Sequence, residues 1–256
     1  MKKLLLLVVL AFSASQIWSQ MSVSSNTDKK VVEEDRNFRI PLIGETAPSF
    51  TAESTNGVIN FPTDFGHKWK LLFSHPQDFT PVCSTEIMEL AYLQDAFDKL
   101  NVKVVVVSAD PLDTHIQWKK AMESLNLGNR GLAKIKFPLV DDENVTISKE
   151  YGMIHPATNS TRSVRGVFVI DPDNVIQAIY FYPMNIGRNT KELLRVISAL
   201  QIADRDKVLT PVNWEPGNDV LVHNLPKKDD KNEVAIAKDY YSPVWFLLYK
   251  KANSLE

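Results

Sequence analysis

A single cysteine, Cys83, stands in 256 residues, so no disulfide can form within the chain. The fold must rest on its core, and a chain of this length buries one without covalent staples. The apolar run Leu4 to Phe12 falls short of the ~20 residues that a spanning helix needs. There is no basic excess either. The net charge of −2 argues against a protein that tracks nucleic-acid phosphates. His67, His115, His155 and His223 are scattered, with no cysteine or carboxylate at ligand spacing, so no metal and no cofactor are expected. What remains is a composition of 44% hydrophobic and 23% charged residues, which suits a soluble globular protein.

The N-terminus reads separately from that fold. Lys2 and Lys3 precede the apolar run, and Ser13 to Ser15 and Ser19 follow it. A basic start, a short apolar stretch and a small-residue exit describe a signal peptide over residues 1–19. Cleavage after Ser15 or after Ser19 fits equally. Export to the periplasm or beyond follows, with no stable membrane insertion once the signal is removed. A true start at Met21 would instead leave the protein cytoplasmic. No cysteine follows the run, so no lipid anchor is expected there. Residues 20–39 are polar and charged, and read as a flexible tether.

From residue 40 the pattern becomes that of a folded domain, to about residue 206. Asn56-Gly57 marks a hairpin turn within Phe50 to Phe61. Short apolar runs at Trp69 to Ser74, Val102 to Ser108 and Phe137 to Val140 read as buried strands. Val164 to Ile170 and Val175 to Tyr182 flank Asp171-Pro172-Asp173-Asn174 and read as a second hairpin. Helical stretches are expected at Ser84 to Leu100, Leu112 to Leu125, Val145 to Tyr151 and Thr190 to Ile202. This alternation predicts an α/β domain with a central mixed sheet flanked by helices. Residues 207–256 form a C-terminal extension. Lys227 to Glu233 reads as a solvated loop. The aromatic stretch Tyr240 to Tyr249 needs cover, from the same chain, a second subunit or both.

The chemistry points to the segment from His75 to Glu86. It follows a strand and opens a helix. Thr80 suits the N-cap and Pro81 the first helical position. Cys83 then sits in the first turn, where unpaired amides and the helix dipole favour thiolate over thiol. A free cysteine titrates near ~8.5, and helix N-termini lower that value.

FSHPQDFTPVCSTE resembles the active-site loop of peroxiredoxins, whose signature Pro-x-x-x-Thr-x-x-Cys is met by Pro76, Thr80 and Cys83. The extended form is similar to the one-cysteine subgroup. The resemblance continues through RGVFVIDPDNVI, YPMNIGRNTKELLRVI and TPVNWEPGNDV, from about Ile43 to Val222. It implies a thioredoxin-like fold and a peroxidase acting on hydrogen peroxide and organic hydroperoxides. Cys83 would attack the peroxide and become a sulfenic acid. Thr80 would hydrogen-bond the peroxide, Pro76 would shield the sulfur, and Arg165 would stabilise the thiolate and the developing charge. Glu86, Arg188 and His75 would support the site, His75 through proton traffic, reductant contact or a structural hydrogen bond. With one cysteine the reductant must be an external thiol or other small donor, unless two Cys83 residues pair between subunits. The resemblance also implies a homodimer.

The sequence departs from those relatives at one place. Some carry a phospholipase-type activity on Gly-Asp-Ser-Trp-Gly, which here is Gly66-His67-Lys68-Trp69-Lys70. Lysine does not replace the serine nucleophile, so that activity is not expected. Asn144-Val-Thr146 and Asn159-Ser-Thr161 are sequons whose use depends on the compartment. Two other classes compete with the peroxidase. One is a redox-sensitive structural or holdase protein, suggested by the aromatic C-terminal stretch. The other is a cysteine hydrolase, for which no recognisable motif is present.

Overall fold

The computed structural model describes residues 39–224 and 238–254. The expected signal, most of the tether and the charged loop at Lys227 to Glu233 lie outside the described residues. The chain divides into Met1–Ile40 and a compact unit, Pro41–Glu256.

The apolar runs form the strands. They are β1 (Phe50–Ala52), β2 (Ile59–Phe61), β3 (Trp69–Ser74), β4 (Val102–Ser108), β5 (Leu139–Asp141), β6 (Arg165–Ile170), β7 (Ile176–Tyr182), β8 (Val220–Leu221), β9 (Tyr240–Val244) and β10 (Leu247–Lys250). The α-helices are α1 (Pro81–Lys99), α2 (Leu112–Met122), α3 (Thr146–Glu150) and α4 (Thr190–Asp206). The third expected strand starts two residues late, at Leu139, because Pro138 has no N–H to give the ladder. The second expected helix stops at Met122, not Leu125. The fourth runs on to Asp206 and ends where Lys207 turns left-handed, at φ 52°.

Five strands make one mixed sheet in the order β5-β4-β3-β6-β7. β3, β4 and β5 are parallel, β6 runs against β3, and β7 runs against β6. β3 and β6 are buried along their whole length, so both read as continuous apolar runs rather than alternations. Leu71, Phe73, Val104, Val106, Val167 and Val169 pack with Ile87, Leu90 and Phe97 of α1 and Leu193 and Ile197 of α4. Each such side chain contributes about 1.5–3 kcal/mol on burial. The architecture is α/β, as expected. The hairpin at Asn56-Gly57 also forms, pairing β1 with β2, with Gly57 at φ 91°.

The topology dictates where chemistry can sit. β3 and β4 end side by side, and antiparallel β6 begins at that same end. Phe73 pairs with Val167, and the Gly166 amide donates to Ser74 Oγ at 2.9 Å. Arg165 therefore starts β6 beside the segment that leaves β3. A side chain at Gly166 would collide with Met153 Sδ, 2.8 Å from an added Cβ.

The C-terminal stretch folds on its own chain. β9 and β10 form a hairpin that pairs with β8. Val208, Trp214 and Val220 pack beside Ala199 of α4. The hairpin tip is uncovered: Trp245 is 93% exposed and Phe246 65%.

Candidate active site

The loop from His75 to Thr80 leaves β3 and enters α1. Thr80 has the extended backbone of an N-cap residue and Pro81 is the first helical residue. The expected cap is corrected in one respect. The Thr80 hydroxyl does not cap the helix; it donates to the Gln77 carbonyl at 2.8 Å, an acceptor within its own loop. Its lone pairs remain available to accept a hydrogen bond. Cys83 is the third helical residue, in the turn whose amides have no intrahelical partner.

Cys83 is 1% exposed and packs within the apolar core, so its surroundings are less polar than the sequence suggested. Polar groups meet it on one side. Arg165 Nη1 donates to Cys83 Sγ at 3.2 Å and to Glu86 Oε2 at 2.7 Å. Arg165 Nε donates to the Met184 carbonyl at 2.9 Å, and Nη2 donates to that same oxygen. Arg165 is thus a buried, oriented guanidinium rather than a surface ion pair.

Glu86 lies one turn beyond Cys83 and is held from two sides. Arg188 grips it with Nε on Oε1 at 2.8 Å and Nη2 on Oε2 at 2.7 Å, and the Arg188 amide also donates to Oε1. Arg188 Nη1 donates to the Ser74 and Gly166 carbonyls, and the guanidinium lies 3.3 Å from the centre of the Phe73 ring. Burial pulls Arg188 below the usual guanidinium range, while its hydrogen bonds to Glu86 and the Glu86 charge oppose this. Two buried guanidiniums face one carboxylate, which leaves a net positive charge at the sulfur.

The loop has its own ties. Pro76 is buried, and its carbonyl accepts from Arg162 Nη1 at 3.1 Å. Ser163 Oγ donates to the His75 carbonyl, and the Asp78 amide donates to Asp110 Oδ2 at 2.8 Å. Below the loop, Asp78 Oδ2 lies 2.7 Å from His115 Nδ1, and His115 Nε2 lies 3.1 Å from the Val140 carbonyl. Sequence spacing does not reveal this pair. The two are 37 residues apart, and only the ending of β4 beside β3 brings α2 under the loop.

His75 is wholly buried, with its ring 5.1 Å from Trp118 and Nε2 3.5 Å from Asp78 Oδ1. Neither ring nitrogen meets a partner at hydrogen-bonding geometry, and no hydrogen bond joins it to Cys83. Burial pushes His75 well below the usual histidine value, helped by the charges of His115, Arg188 and Arg165, so the ring is neutral. Asp78 is pushed up, chiefly by burial. Asp78, His115, Asp110 and Arg162 are the residues of this region that sequence reasoning missed. Trp118 was also unread; its indole donates to Ser84 Oγ at 3.3 Å.

Elsewhere, His67 lies 3.6 Å from Asp173 with both side chains exposed. No group of metal-ligating residues occurs among the described residues.

Residues 43–179 match the AhpC/TSA family, and residues 199–235 match the C-terminal domain of 1-Cys peroxiredoxin. The first match alone spans more than half of the chain. The chain belongs to the peroxiredoxin family. A peroxiredoxin of Methanosarcina mazei is 45% identical over 72% of this chain and 84% of its own length. The solved structure of the yeast mitochondrial 1-Cys peroxiredoxin, described for thiol resolution via glutathione/thioredoxin systems, is 36% identical with a TM-score of 0.71. It covers 83% of this chain and 100% of its own. A cysteine-to-serine mutant of the peroxiredoxin 6 of Arenicola marina is 31% identical with a TM-score of 0.72, over 83% of this chain and 98% of its own. These likenesses make the peroxiredoxin a 1-Cys type with a thioredoxin fold. It is a thiol peroxidase with an antioxidant function, acting on peroxides with a thiol reductant.

Proposed function

We propose that Cys83 is the peroxide-attacking residue and that Arg165, Thr80 and Pro76 complete the reacting site. The observation that carries this is the Arg165 Nη1 contact with Cys83 Sγ inside a buried cluster holding one surplus positive charge. The Cys83 thiolate attacks one peroxide oxygen. An S–O bond forms, the O–O bond breaks, and the leaving oxygen takes a proton to become water or an alcohol. Arg165 stabilises both the thiolate and the oxygen charge that develops. Thr80 accepts from the peroxide O–H, and buried Pro76 keeps water from the sulfur. Glu86 and Arg188 hold Arg165 in place. Dimedone tests the assignment. Equimolar hydrogen peroxide should yield a dimedone adduct on Cys83, and an adduct-free Cys83 in peroxide-reacted protein would refute it.

The sulfenic acid has no second cysteine to condense with, so the reductant is an external thiol. The thioredoxin or glutathione systems are the proposed source, as for the yeast relative. A homodimer is proposed because β7 is an edge of the main sheet, pairing only with β6 among the described residues. Sedimentation at micromolar concentration should give twice the chain mass; a monomer would count against it. Export is proposed from residues 1–19 alone, and sequencing the mature N-terminus decides it. The exposed Trp245 and Phe246 favour a second reading, in which assembly responds to Cys83 oxidation.

A further inference from the structure

Behind the loop that carries Pro76 and Thr80, the His115–Asp78 pair obeys a strict proton count. His115 Nε2 faces the Val140 carbonyl, which can only accept, so that nitrogen carries a hydrogen. The 2.7 Å contact between Nδ1 and Asp78 Oδ2 then needs one proton between the two atoms. Either a carboxylic acid donates to a neutral ring, or an imidazolium donates to a carboxylate. A second proton sets N–H against O–H. With none, two lone pairs face each other, or the ring gives up its bond to Val140. One protonation level therefore satisfies every contact of the pair.

Charged and titratable groups approach Asp78 from each element around it. They are His115 of α2, His75 at the end of β3, Asp110 after β4 and Arg162 before β6. Burial pushes Asp78 up, His115 opposes this, and the neighbouring Asp110 charge adds to the rise. Asp78 is the one carboxylate of the loop His75 to Thr80. Its amide is tied to Asp110, so the residue joins the loop to both α2 and the end of β4.

We propose that His115 and Asp78 are positioning residues for peroxide reduction, and that the proton they share holds the loop from His75 to Thr80 in the geometry in which Cys83 reacts. Loss of that proton leaves the ring a single N–H for two acceptors, so either the Asp78 or the Val140 contact is given up and the tie between the loop and the sheet loosens. Peroxide reactivity then falls on an alkaline limb where a Cys83 thiolate, already formed, would show none. This rests on Cys83 being the reacting residue.

The test is the second-order rate constant for Cys83 oxidation by hydrogen peroxide, followed by stopped flow from neutral to alkaline pH. Wild type should lose rate on the alkaline side. In Asp78→Asn the amide NH2 donates to Nδ1 without a titrating proton, so the limb should disappear. His115→Ala should slow the reaction about tenfold at neutral pH, since small misplacements of reacting groups carry penalties of that order. Circular dichroism checks that each variant is folded. If Asp78→Asn keeps the wild-type limb, or wild type shows none, the proposal is overturned while Cys83 keeps its role. If wild type does not react at all, it is the Cys83 assignment that fails.

Discussion

Glu86 and Asp78 are buried carboxylates on either side of Cys83 in the chain, and the fold treats them differently. Each oxygen of Glu86 receives hydrogen bonds from guanidinium or amide donors. Asp78 meets His115 at 2.7 Å through one oxygen, while the other meets no hydrogen-bond partner. Arginine does not release its proton in a protein, so the two guanidiniums around Glu86 keep their charge. Histidine and a carboxylic acid do exchange protons, so pH can reach the Asp78 cluster. The positive charge at the sulfur therefore comes from groups that keep their proton.

The sharpest break comes from Glu86→Ala. It leaves two buried guanidiniums without a counter-charge, and losing one partner of a buried pair costs about 3–5 kcal/mol. Chemical denaturation should show a loss of that size. A loss below about 1 kcal/mol, the range of exposed pairs, would mean the cluster is not a closed charge network.

The next effect lies on the other side of the comparison. His75 is neutral in the fold because its value there is lowered, whereas an unfolded histidine takes a proton near 6.5. A lowered folded value gives stability that is present above that pH and lost as pH falls through it. Each pH unit below costs up to about 1.4 kcal/mol until the folded ring is protonated. Unfolding free energies measured between neutral and mildly acid pH should fall in wild type and fall less in His75→Gln. Equal slopes would show that His75 does not carry the acid sensitivity. The smallest effect belongs to Arg162→Gln. This half-buried arm reaches the Pro76 carbonyl and Asp110 from the rim, and its loss should cost about 1 kcal/mol or less in the same assay.

The two clusters also differ in how far the sequence reveals them. The sheet was legible because β3, β4 and β6 are largely buried on both faces and appear as predominantly apolar runs. The start of α1 was legible from Thr80-Pro81, although the Thr80 hydroxyl accepts no cap hydrogen bond and donates to the Gln77 carbonyl. Glu86, Arg165 and Arg188 came through the family resemblance alone. Nothing in their spacing says that the start of β6 and the entry to α4 meet above α1. The Asp78–His115 pair stayed hidden because both residues look ordinary in the chain. A histidine inside an amphipathic helix and an aspartate in a turn acquire meaning once parallel pairing sets β4 beside β3.

The central claim is that Cys83, in its Arg165-held pocket, is the group peroxide oxidises. Stopped-flow peroxide consumption without reductant tests it most directly. Wild type should consume about one equivalent per chain, set by the single cysteine, and Arg165→Ala should do so about a hundredfold more slowly. Cys83→Ser should consume almost none; a serine variant that matches wild type would contradict the account.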